Sequence, residues 1–183
     1  MKIAFIGTHG TGKTTLAYSV TGELKRLGKN ATMVTEVARK CPLPINEKGS
    51  INSQLWIMSA QIAEEVEADH KFTHVVCDRS ILDSFAYGIY SSCDNELLKR
   101  LFEYWITSYD ILFKVPMFYD LIDDGFRSTS KEFQQKVDSI ISDLLKKHNL
   151  SYFELPKENQ VQFILTKIAE LEQKGQQKLK INY

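Results

Sequence analysis

The sequence predicts a three-layer α/β fold, in which a five-stranded parallel sheet lies between helices on both of its faces. Short β-type runs alternate with longer helical patterns along the 183 residues, and this alternation is typical of right-handed βαβ units. The run at 73–78 is apolar almost throughout, as expected for a strand buried on both faces. Gly7, Glu36 and Asp78 each stand where a predicted strand ends, which is where ligands bind in open α/β sheets.

The first strand and helix are predicted from the start of the chain. Residues 2–6 form a β-type run that ends at Gly7, and a helical pattern over 13–27 follows the glycine-rich loop. Gly28 is a suitable C-cap for this helix. The apolar positions of the helix lie at spacings of four, four and three, which place them on one face: Leu16, Val20, Leu24 and Leu27.

The second and third strands are predicted on either side of a long helix. Residues 31–36 form the second strand, the proline-containing run 41–44 breaks the chain, and 46–50 is a loop. The third strand is 73–78. The helix between them is expected to place four apolar side chains on one face: Leu55, Met58, Ile62 and Val66.

Two further helices and the fourth strand come next. The helices span 80–90 and 95–108, and the strand spans 111–115 and stops at Pro116. The segment that follows, 119–130, is charged and loop-like.

The last third of the chain supplies two amphipathic helices and the fifth strand. Helices are predicted over 131–147 and 158–174, and the strand between them over 152–155. Their inward positions are Phe133, Val137, Ile140, Leu144 and Leu145 in the first helix, and Val161, Leu165, Ile168 and Leu171 in the second.

The composition bounds the class of protein. Hydrophobic residues make up 43% and charged residues 25% of the chain, and 23 basic residues balance 23 acidic ones. This balance argues against coating of nucleic acid or attraction to an anionic membrane. Cys41, Cys77 and Cys93 lack the spacing of a zinc site or a disulfide framework. Without an apolar run near the roughly 20 residues that span a bilayer, we expect a cytoplasmic protein with one domain over 1–183.

The clearest motif is a phosphate-binding loop. Residues 7–14 read Gly-Thr-His-Gly-Thr-Gly-Lys-Thr and match G-x-x-x-x-G-K-S/T between a predicted strand and a predicted helix. Glycines let consecutive N–H groups turn inward toward phosphate oxygens, and the helix start adds its positive dipole end. Lys13 is expected to reach the β- and γ-phosphates, and the Thr14 hydroxyl to bind Mg²⁺. The residues predicted to bind ATP are Gly7, Thr8, His9, Gly10, Thr11, Gly12, Lys13, Thr14 and Thr15.

Asp78 is the second candidate for the magnesium ion. It ends the third strand, where a carboxylate can hold Mg²⁺ directly or through water. It could also cap the helix that starts near Ser80. His9, although within the loop, is expected to supply backbone groups rather than to act as a base.

Two sets of motifs resemble known families of P-loop kinases. The stretch Asp78-Arg79-Ser80-Ile-Leu-Asp83-Ser84-Phe-Ala86-Tyr87 resembles the D-R-Y/F/H/S-x-x-D-S stretch, followed closely by A-Y, of thymidylate-kinase-like enzymes. The loop with its following Leu16 and Ala17, the run 35–39 (Thr-Glu-Val-Ala-Arg) and the run 123–127 (Asp-Asp-Gly-Phe-Arg) resemble NadR-like, ribosylnicotinamide-kinase-like P-loop proteins. The likeness runs from residue 1 to about 155. It implies the P-loop NTPase fold with ATP as phosphate donor, Mg²⁺ as cofactor and, as one arrangement, a homodimer.

The resemblance also implies the acceptor side of the site. Glu36 would orient or deprotonate an acceptor hydroxyl in a nucleoside kinase, or help to hold the acceptor in a nucleotide kinase. The alternative for Glu36 is a solvated charge at a strand end. Arg79 suits an acceptor phosphate or a developing charge, and its alternative is a salt bridge to Asp78 or Asp83. Arg39 is a further candidate for substrate phosphate.

A lid is implied over about 119–130. Arg127 would bring a cation to the transferred phosphoryl group, with Lys131 behind it. Relatives commonly carry more than one arginine in this region, whereas this sequence has Arg127 with Lys131 and Lys136. Lysine lacks the bidentate fork of arginine.

The start of the long helix is expected to overlie the acceptor. Gln54 and Gln61 lie seven residues apart, so they share one helix face and could hydrogen-bond a base, unless that face is the wet one. Trp56 could stack on a base, but core packing is the expected role. Gln61 is therefore predicted to bind substrate, together with Glu36, Arg39 and Arg79.

The sequence as a whole predicts a Mg²⁺-dependent phosphotransferase that moves the γ-phosphate of ATP to a nucleoside monophosphate. The thymidylate-kinase-like stretch favours this acceptor, although no R-E-P-G run follows the second strand. A nucleoside kinase of the deoxynucleoside or ribosylnicotinamide type is one alternative. A regulatory P-loop NTPase without small-molecule transfer is the other. The predicted catalytic residues are Lys13, Glu36, Arg79 and Arg127.

Overall fold

The structure is a computed structural model that describes residues 1–92, 95–118 and 129–181, with residues 175–181 as backbone. Within these residues, five strands form one sheet: β1 (Lys2–Ile6), β2 (Ala31–Val34), β3 (His74–Asp78), β4 (Ile111–Lys114) and β5 (Phe153–Glu154). The described part of the chain also forms six α-helices: α1 (Lys13–Arg26), α2 (Ile51–Lys71), α3 (Ile81–Tyr90), α4 (Glu96–Trp105), α5 (Lys131–Lys147) and α6 (Gln160–Ile181). Short 3₁₀ turns occur at Val37–Lys40, Asn46–Lys48 and Ile106–Ser108.

The sheet is parallel, with strand order β2-β3-β1-β4-β5. The chain leaves β1 for the β2 edge, returns through β3 beside β1, and then continues to β4 on the other side. The carboxyl end of β1 therefore lies at the point where the strand order reverses, which is where ligands bind in such sheets. Phe5 of β1 is in register with Asp78 of β3, so the glycine loop begins beside this carboxylate.

Both faces of the sheet are covered, as the sequence predicts. Alternate residues of β1 enter opposite cores, since Ile3 and Phe5 pack with α1 and α6, whereas Ala4 and Ile6 pack with α2, α3, α4 and α5. All five residues of β3 are buried, and this explains its nearly continuous apolar run. The predicted three-layer α/β/α P-loop fold with a five-stranded parallel sheet is confirmed.

The predicted elements differ from the observed ones mainly at their ends. The second strand stops at Val34, and the 3₁₀ turn Val37–Lys40 carries the chain away from the sheet. The fifth strand has two residues, because β5 is an edge that pairs with β4 alone. Within the described residues, no helix is both long and apolar enough to cross a membrane. The lid predicted over about 119–130 lies almost entirely outside the described residues, and Arg127 lies outside them as well.

The predicted apolar face of α2 is buried except at one residue. On α2, Met58 is fully buried and Leu55 and Ile62 are partly buried, but Val66 is 52% exposed. The deeply buried stripe contains polar side chains instead: Gln54, Gln61 and Glu65, together with Ile57 and Ala68.

Candidate active site

The loop after β1 has the backbone of an anion-binding turn. Gly7, Gly10 and Gly12 have φ values of 138°, 73° and 88°, a region that side chains disfavour. Gly12 is the N-cap of α1 and supplies no side-chain hydrogen bond to the first turn of the helix. The first N–H groups of α1 are therefore directed toward the space above the loop, where they can donate to phosphate oxygens.

Gly7 also satisfies a close approach between two strands. A Cβ atom at this position would lie 2.8 Å from the carbonyl oxygen of Val115, which is closer than carbon and oxygen can pack. The Gly7 N–H donates to Asp83 Oδ1 over 2.9 Å. The start of the loop is thus fixed between the residue that follows β4 and a buried carboxylate of α3.

His9 anchors the middle of the loop. Its N–H donates to the Tyr87 hydroxyl at 3.1 Å, and its ring Nδ1 lies 3.0 Å from the same oxygen. Its carbonyl accepts from Gln134 Nε2 at 2.8 Å, and its ring packs 5.1 Å from that of Phe133. These contacts give His9 a role in shaping the loop.

Lys13 lies at the centre of the charges of the site. Its ammonium donates to the carbonyl of Thr8 and, at 3.2 Å, to Thr11 Oγ1. Burial, reinforced by the nearby positive charge of Arg79, lowers the pKa of Lys13 from 10.5 to about 7, although three carboxylates oppose this shift. Those carboxylates belong to Asp83, Asp78 and Glu36. Triphosphate next to Lys13 would restore the charged form.

Asp78 fits the magnesium position better than the capping position. The N-cap of α3 is Ser80, whose side chain accepts from the Leu82 N–H at 3.1 Å and forms a capping box with Asp83. The alternative that Asp78 caps this helix is therefore wrong. Asp78 is 1% exposed, and its Oδ2 has no hydrogen-bond partner within the described part of the chain. A buried carboxylate oxygen without a partner is the donor that a hard cation such as Mg²⁺ prefers.

The magnesium ion would depend on few protein ligands. Within the described residues, no group of three or more histidine, cysteine, aspartate or glutamate side chains could hold a metal. Magnesium in phosphoryl-transfer sites is held by one or two protein groups together with substrate phosphates and water. Asp78 and Thr14, which is half-buried in the first turn of α1, fit that arrangement.

Glu36 and two arginines form a cluster of charges close to Lys13. Glu36 is 5% exposed, so the alternative of a solvated strand-end charge is wrong. Its Oε1 accepts from Arg79 Nε at 2.6 Å, and its Oε2 accepts from Arg39 Nε at 3.0 Å. The ion pair of Arg79 is therefore made with Glu36 rather than with the aspartates of its own segment. Burial disfavours the charge on Arg79, but Glu36 and its neighbours hold the pKa of Arg79 well above its ordinary value.

A cleft opens beside this ion pair. The Arg79 guanidinium lies 5.2 Å from the centre of the Tyr87 ring, which forms another wall of the cleft. Gln54 reaches the cleft from α2, is 2% exposed, and its Oε1 has no partner among the residues described. The residues around the cleft are Glu36, Ala38, Ile45, Asn46, Gln54, Ile57, Arg79, Ser84 and Tyr87.

Two residues predicted near the acceptor lie elsewhere. Gln61 is 2% exposed and is not among the residues that line the cleft. Its amide nitrogen donates to Glu65 Oε1 at 2.7 Å and to the carbonyl of Arg79 at 3.2 Å. Trp56 is half-buried and lines a shallow groove on the outer side of α2, so its expected core packing is wrong.

The structure therefore brings together most of the predicted site residues. The loop from Gly7 to Thr15, Asp78, Glu36 and Arg79 surround one end of β1 and its neighbours. Sequence reasoning missed the roles of Asp83 and Tyr87 in holding the loop. A signal was present, since both belong to the D-S-x-A-Y stretch that follows β3.

Comparisons with known proteins agree with this geometry. Residues 2–162 match the model of a family described as AAA domain. A search of curated protein sequences finds no match. Among solved structures, thymidylate kinase from Ehrlichia chaffeensis has a TM-score of 0.64 at 20% identity, covering 93% of this chain and 97% of that one.

Two further structures have the same fold. Deoxyadenosine kinase from M. mycoides, with the products dCMP and dCDP, gives a TM-score of 0.63 at 16% identity and covers 93% of this chain and 100% of its own. NadR in complex with NR gives 0.70 at 22% identity, over 86% of this chain and 46% of that chain. At these identities the likeness establishes the fold that nucleoside and nucleotide kinases share.

Proposed function

The chain belongs to the AAA-domain family, and from this premise we propose that it is an ATP-dependent kinase that phosphorylates a hydroxyl of a nucleoside. The observation that carries the proposal is the buried carboxylate of Glu36, held at 2.6 Å by Arg79 at the edge of a cleft beside the phosphate loop. The likeness to a deoxyadenosine kinase supports an acceptor of this class.

The donor half of the site would be the loop Gly7–Thr15. Its N–H groups and the start of α1 suit the β- and γ-phosphates, and Lys13 suits their charge. Asp78 and Thr14 would hold Mg²⁺, which neutralises phosphate charge when bound. We further propose that residues 1–183 form one kinase domain whose lid, at about 119–130, supplies Arg127.

The acceptor half would use Glu36 as a general base. The acceptor hydroxyl gives its proton to the Glu36 carboxylate while its oxygen forms a bond to the γ-phosphorus. The bond from that phosphorus to the β–γ bridging oxygen breaks, and ADP leaves. A carboxylate oxygen carries two lone pairs, so Glu36 can accept the proton while it keeps its ion pairs with Arg79 and Arg39.

The ion pairs favour an acceptor without a phosphate. Arg39 and Arg79 are the arginines that suit an acceptor phosphate, and both already donate to Glu36. A phosphate at this position would have to displace a buried carboxylate from its partners, which is costly. An uncharged hydroxyl needs no such exchange.

The cleft is suited to the base of a nucleoside. Gln54 has a buried amide oxygen with no partner in the described part of the protein, and an amide can read a base edge by hydrogen bonding. The aromatic ring of Tyr87 and the aliphatic side chain of Ile57 line the same cleft. Leaving a buried amide oxygen without a partner costs about 1–3 kcal/mol, so a ligand that donates to it gains that energy.

A nucleoside monophosphate is the second candidate acceptor. The trio of Arg39, Glu36 and Arg79 keeps one net positive charge, and that charge would attract a monophosphate that enters the cleft. This acceptor is the one the sequence favours, through its thymidylate-kinase-like stretch.

A panel of acceptors distinguishes these functions. Purified protein is incubated with ATP, Mg²⁺ and separate nucleosides or monophosphates, and ADP release is followed. We expect release that depends on a nucleoside and disappears in Lys13→Ala. ADP release that occurs only with monophosphates would show that the acceptor is a nucleoside monophosphate instead of a nucleoside. Release that needs no acceptor, with no phosphorylated product, would overturn both.

A further inference from the structure

The backbone of Arg79 is in an unusual conformation for a side chain of its size. Its φ is 99°, in the left-handed half of the map that favours glycine. Such a conformation is unfavourable for a residue with a side chain and persists only where the surroundings fix it. It occurs between the proposed magnesium ligand Asp78 and the helix cap Ser80, at the residue whose side chain reaches Glu36.

Two side chains outside the cleft hold this turn, one as a hydrogen-bond donor and the other as an acceptor. The amide nitrogen of Gln61 donates to the Arg79 carbonyl at 3.2 Å. The Tyr109 hydroxyl accepts from the Ile81 N–H at 3.0 Å. These contacts fix the backbone on both sides of Ser80. Neither Gln61 nor Tyr109 lines the cleft.

One carboxylate orients both groups. Glu65 is fully buried, and its Oε1 accepts from Gln61 Nε2 at 2.7 Å and from the Tyr109 hydroxyl at 2.7 Å. Burial and the charge of Glu65 hold the pKa of Tyr109 well above its ordinary value, so its hydroxyl stays a donor to Glu65. A bond to a charged acceptor is also stronger than one between neutral groups.

The other oxygen of Glu65 is fixed as well. Its Oε2 accepts from Trp105 Nε1 at 2.7 Å and lies 3.4 Å from Lys2 Nζ. Lys2 is 2% exposed and also pairs with Asp69 at 2.7 Å. The carboxylate that orients Gln61 and Tyr109 is therefore itself held from β1 and from the end of α4.

We infer that Gln61 and Tyr109, oriented by Glu65, are positioning residues that hold the strained turn at Arg79 and so aim its guanidinium at Glu36 and the acceptor. The expected effect of these residues on activity rests on the proposed phosphotransfer. Their expected effect on the position of Arg79 does not. Ser80 gives the turn its inner support, because its N–H and hydroxyl donate to Asp83 Oδ2 at 2.8 and 3.0 Å.

The first test measures Arg79 itself, without any substrate. Solvent exchange of the Arg79 Nε–H is followed by NMR in the wild type, in Gln61→Leu and in Tyr109→Phe, with Glu172→Gln as a control. Glu172 pairs with Lys29 at 2.7 Å, away from the turn. We expect exchange to accelerate by at least about tenfold in the first two variants and to stay unchanged in the control. Unchanged exchange in folded Gln61→Leu and Tyr109→Phe would overturn the inference.

The second test is a double-mutant cycle on transfer. We expect Gln61→Leu to lower kcat by about ten- to a hundredfold, with the KM for ATP unchanged. In an Arg79→Ala background the same change should alter kcat by less than about twofold, because Gln61 acts through Arg79. Equal fold-losses in both backgrounds would mean a general structural role and would overturn the inference. If the wild type transfers no phosphate, the proposed function fails, and the NMR result alone decides the role of Gln61 and Tyr109.

Discussion

Replacing Lys13 by methionine should abolish transfer and yet stabilise the unliganded protein. The pKa of Lys13 falls from 10.5 to about 7 in the folded state. Each pKa unit corresponds to about 1.4 kcal/mol. At pH 7 the buried lysine therefore lowers the free energy of unfolding by about 4 kcal/mol. Methionine removes this cost but loses the hydrogen bonds to Thr8 and Thr11, worth about 1 kcal/mol each. We therefore expect a net gain of about 1–3 kcal/mol at pH 7.

The pH dependence gives the same prediction a second test. Between pH 7 and 10.5 the unfolded chain binds more protons at Lys13 than the folded chain does, so wild-type stability rises with pH in this window. From pH 7 to pH 9 the wild type should recover about 2 kcal/mol relative to Lys13→Met.

Urea denaturation at both pH values, without nucleotide, measures the two quantities. Lys25→Met, at an exposed position of the same helix, is the matched control and should change stability by less than about 0.5 kcal/mol. The reasoning is refuted if Lys13→Met is less stable than the wild type at pH 7. It is also refuted if the difference between the two proteins is the same at pH 7 and pH 9.

Three further substitutions test separate parts of the site. If Glu36 is the base, Glu36→Gln should lower kcat by about 100- to 10,000-fold, with the KM for ATP little changed. Full kcat in steady-state kinetics would exclude this role. Asp78→Asn should raise the Mg²⁺ concentration for half-maximal activity by about tenfold or more, and an unchanged Mg²⁺ requirement would argue against its assignment. Gly7→Ala should destabilise the fold by about 2–4 kcal/mol, because its Cβ would lie 2.8 Å from the Val115 oxygen at a φ of 138°. Gly22→Ala is its control, because a Cβ there meets nothing within 4 Å, and equal urea midpoints for the two variants would contradict the strain argument.

The phosphate loop could be predicted from the sequence because its parts are contiguous. A strand, a glycine-rich turn and a helix start follow one another from Lys2 to Lys13, so the motif contains its own geometry. The parallel sheet could be predicted for a similar reason, since strands such as β3 are apolar on both faces.

The acceptor side depends on contacts between distant residues. Glu36 and Arg79 are 43 residues apart and meet because β2 and β3 are neighbours in the sheet. A salt bridge of Arg79 with Asp78 or Asp83 is more obvious from the sequence, but local spacing cannot show which carboxylate the folded chain brings within reach.

Hydropathy also gave an incomplete account of the buried face of α2. The pattern of apolar residues points to Val66, which is 52% exposed, whereas Gln61 and Glu65 are buried. These polar side chains are buried because their partners lie inside the protein, at the carbonyl of Arg79 and the hydroxyl of Tyr109. Hydropathy alone predicts that such residues face solvent, because it does not show which hydrogen-bond partners the fold brings to them.

The fate of the γ-phosphate tests the central claim most directly. ³¹P NMR follows the protein with ATP, Mg²⁺ and the nucleoside that gives the fastest ADP release. We expect the γ-phosphate resonance to be replaced by that of a phosphomonoester on the nucleoside, at the same rate as ADP appears, and we expect no reaction with Lys13→Ala. Inorganic phosphate as the sole product, or a diphosphate formed only from monophosphate acceptors, would contradict transfer to a nucleoside hydroxyl.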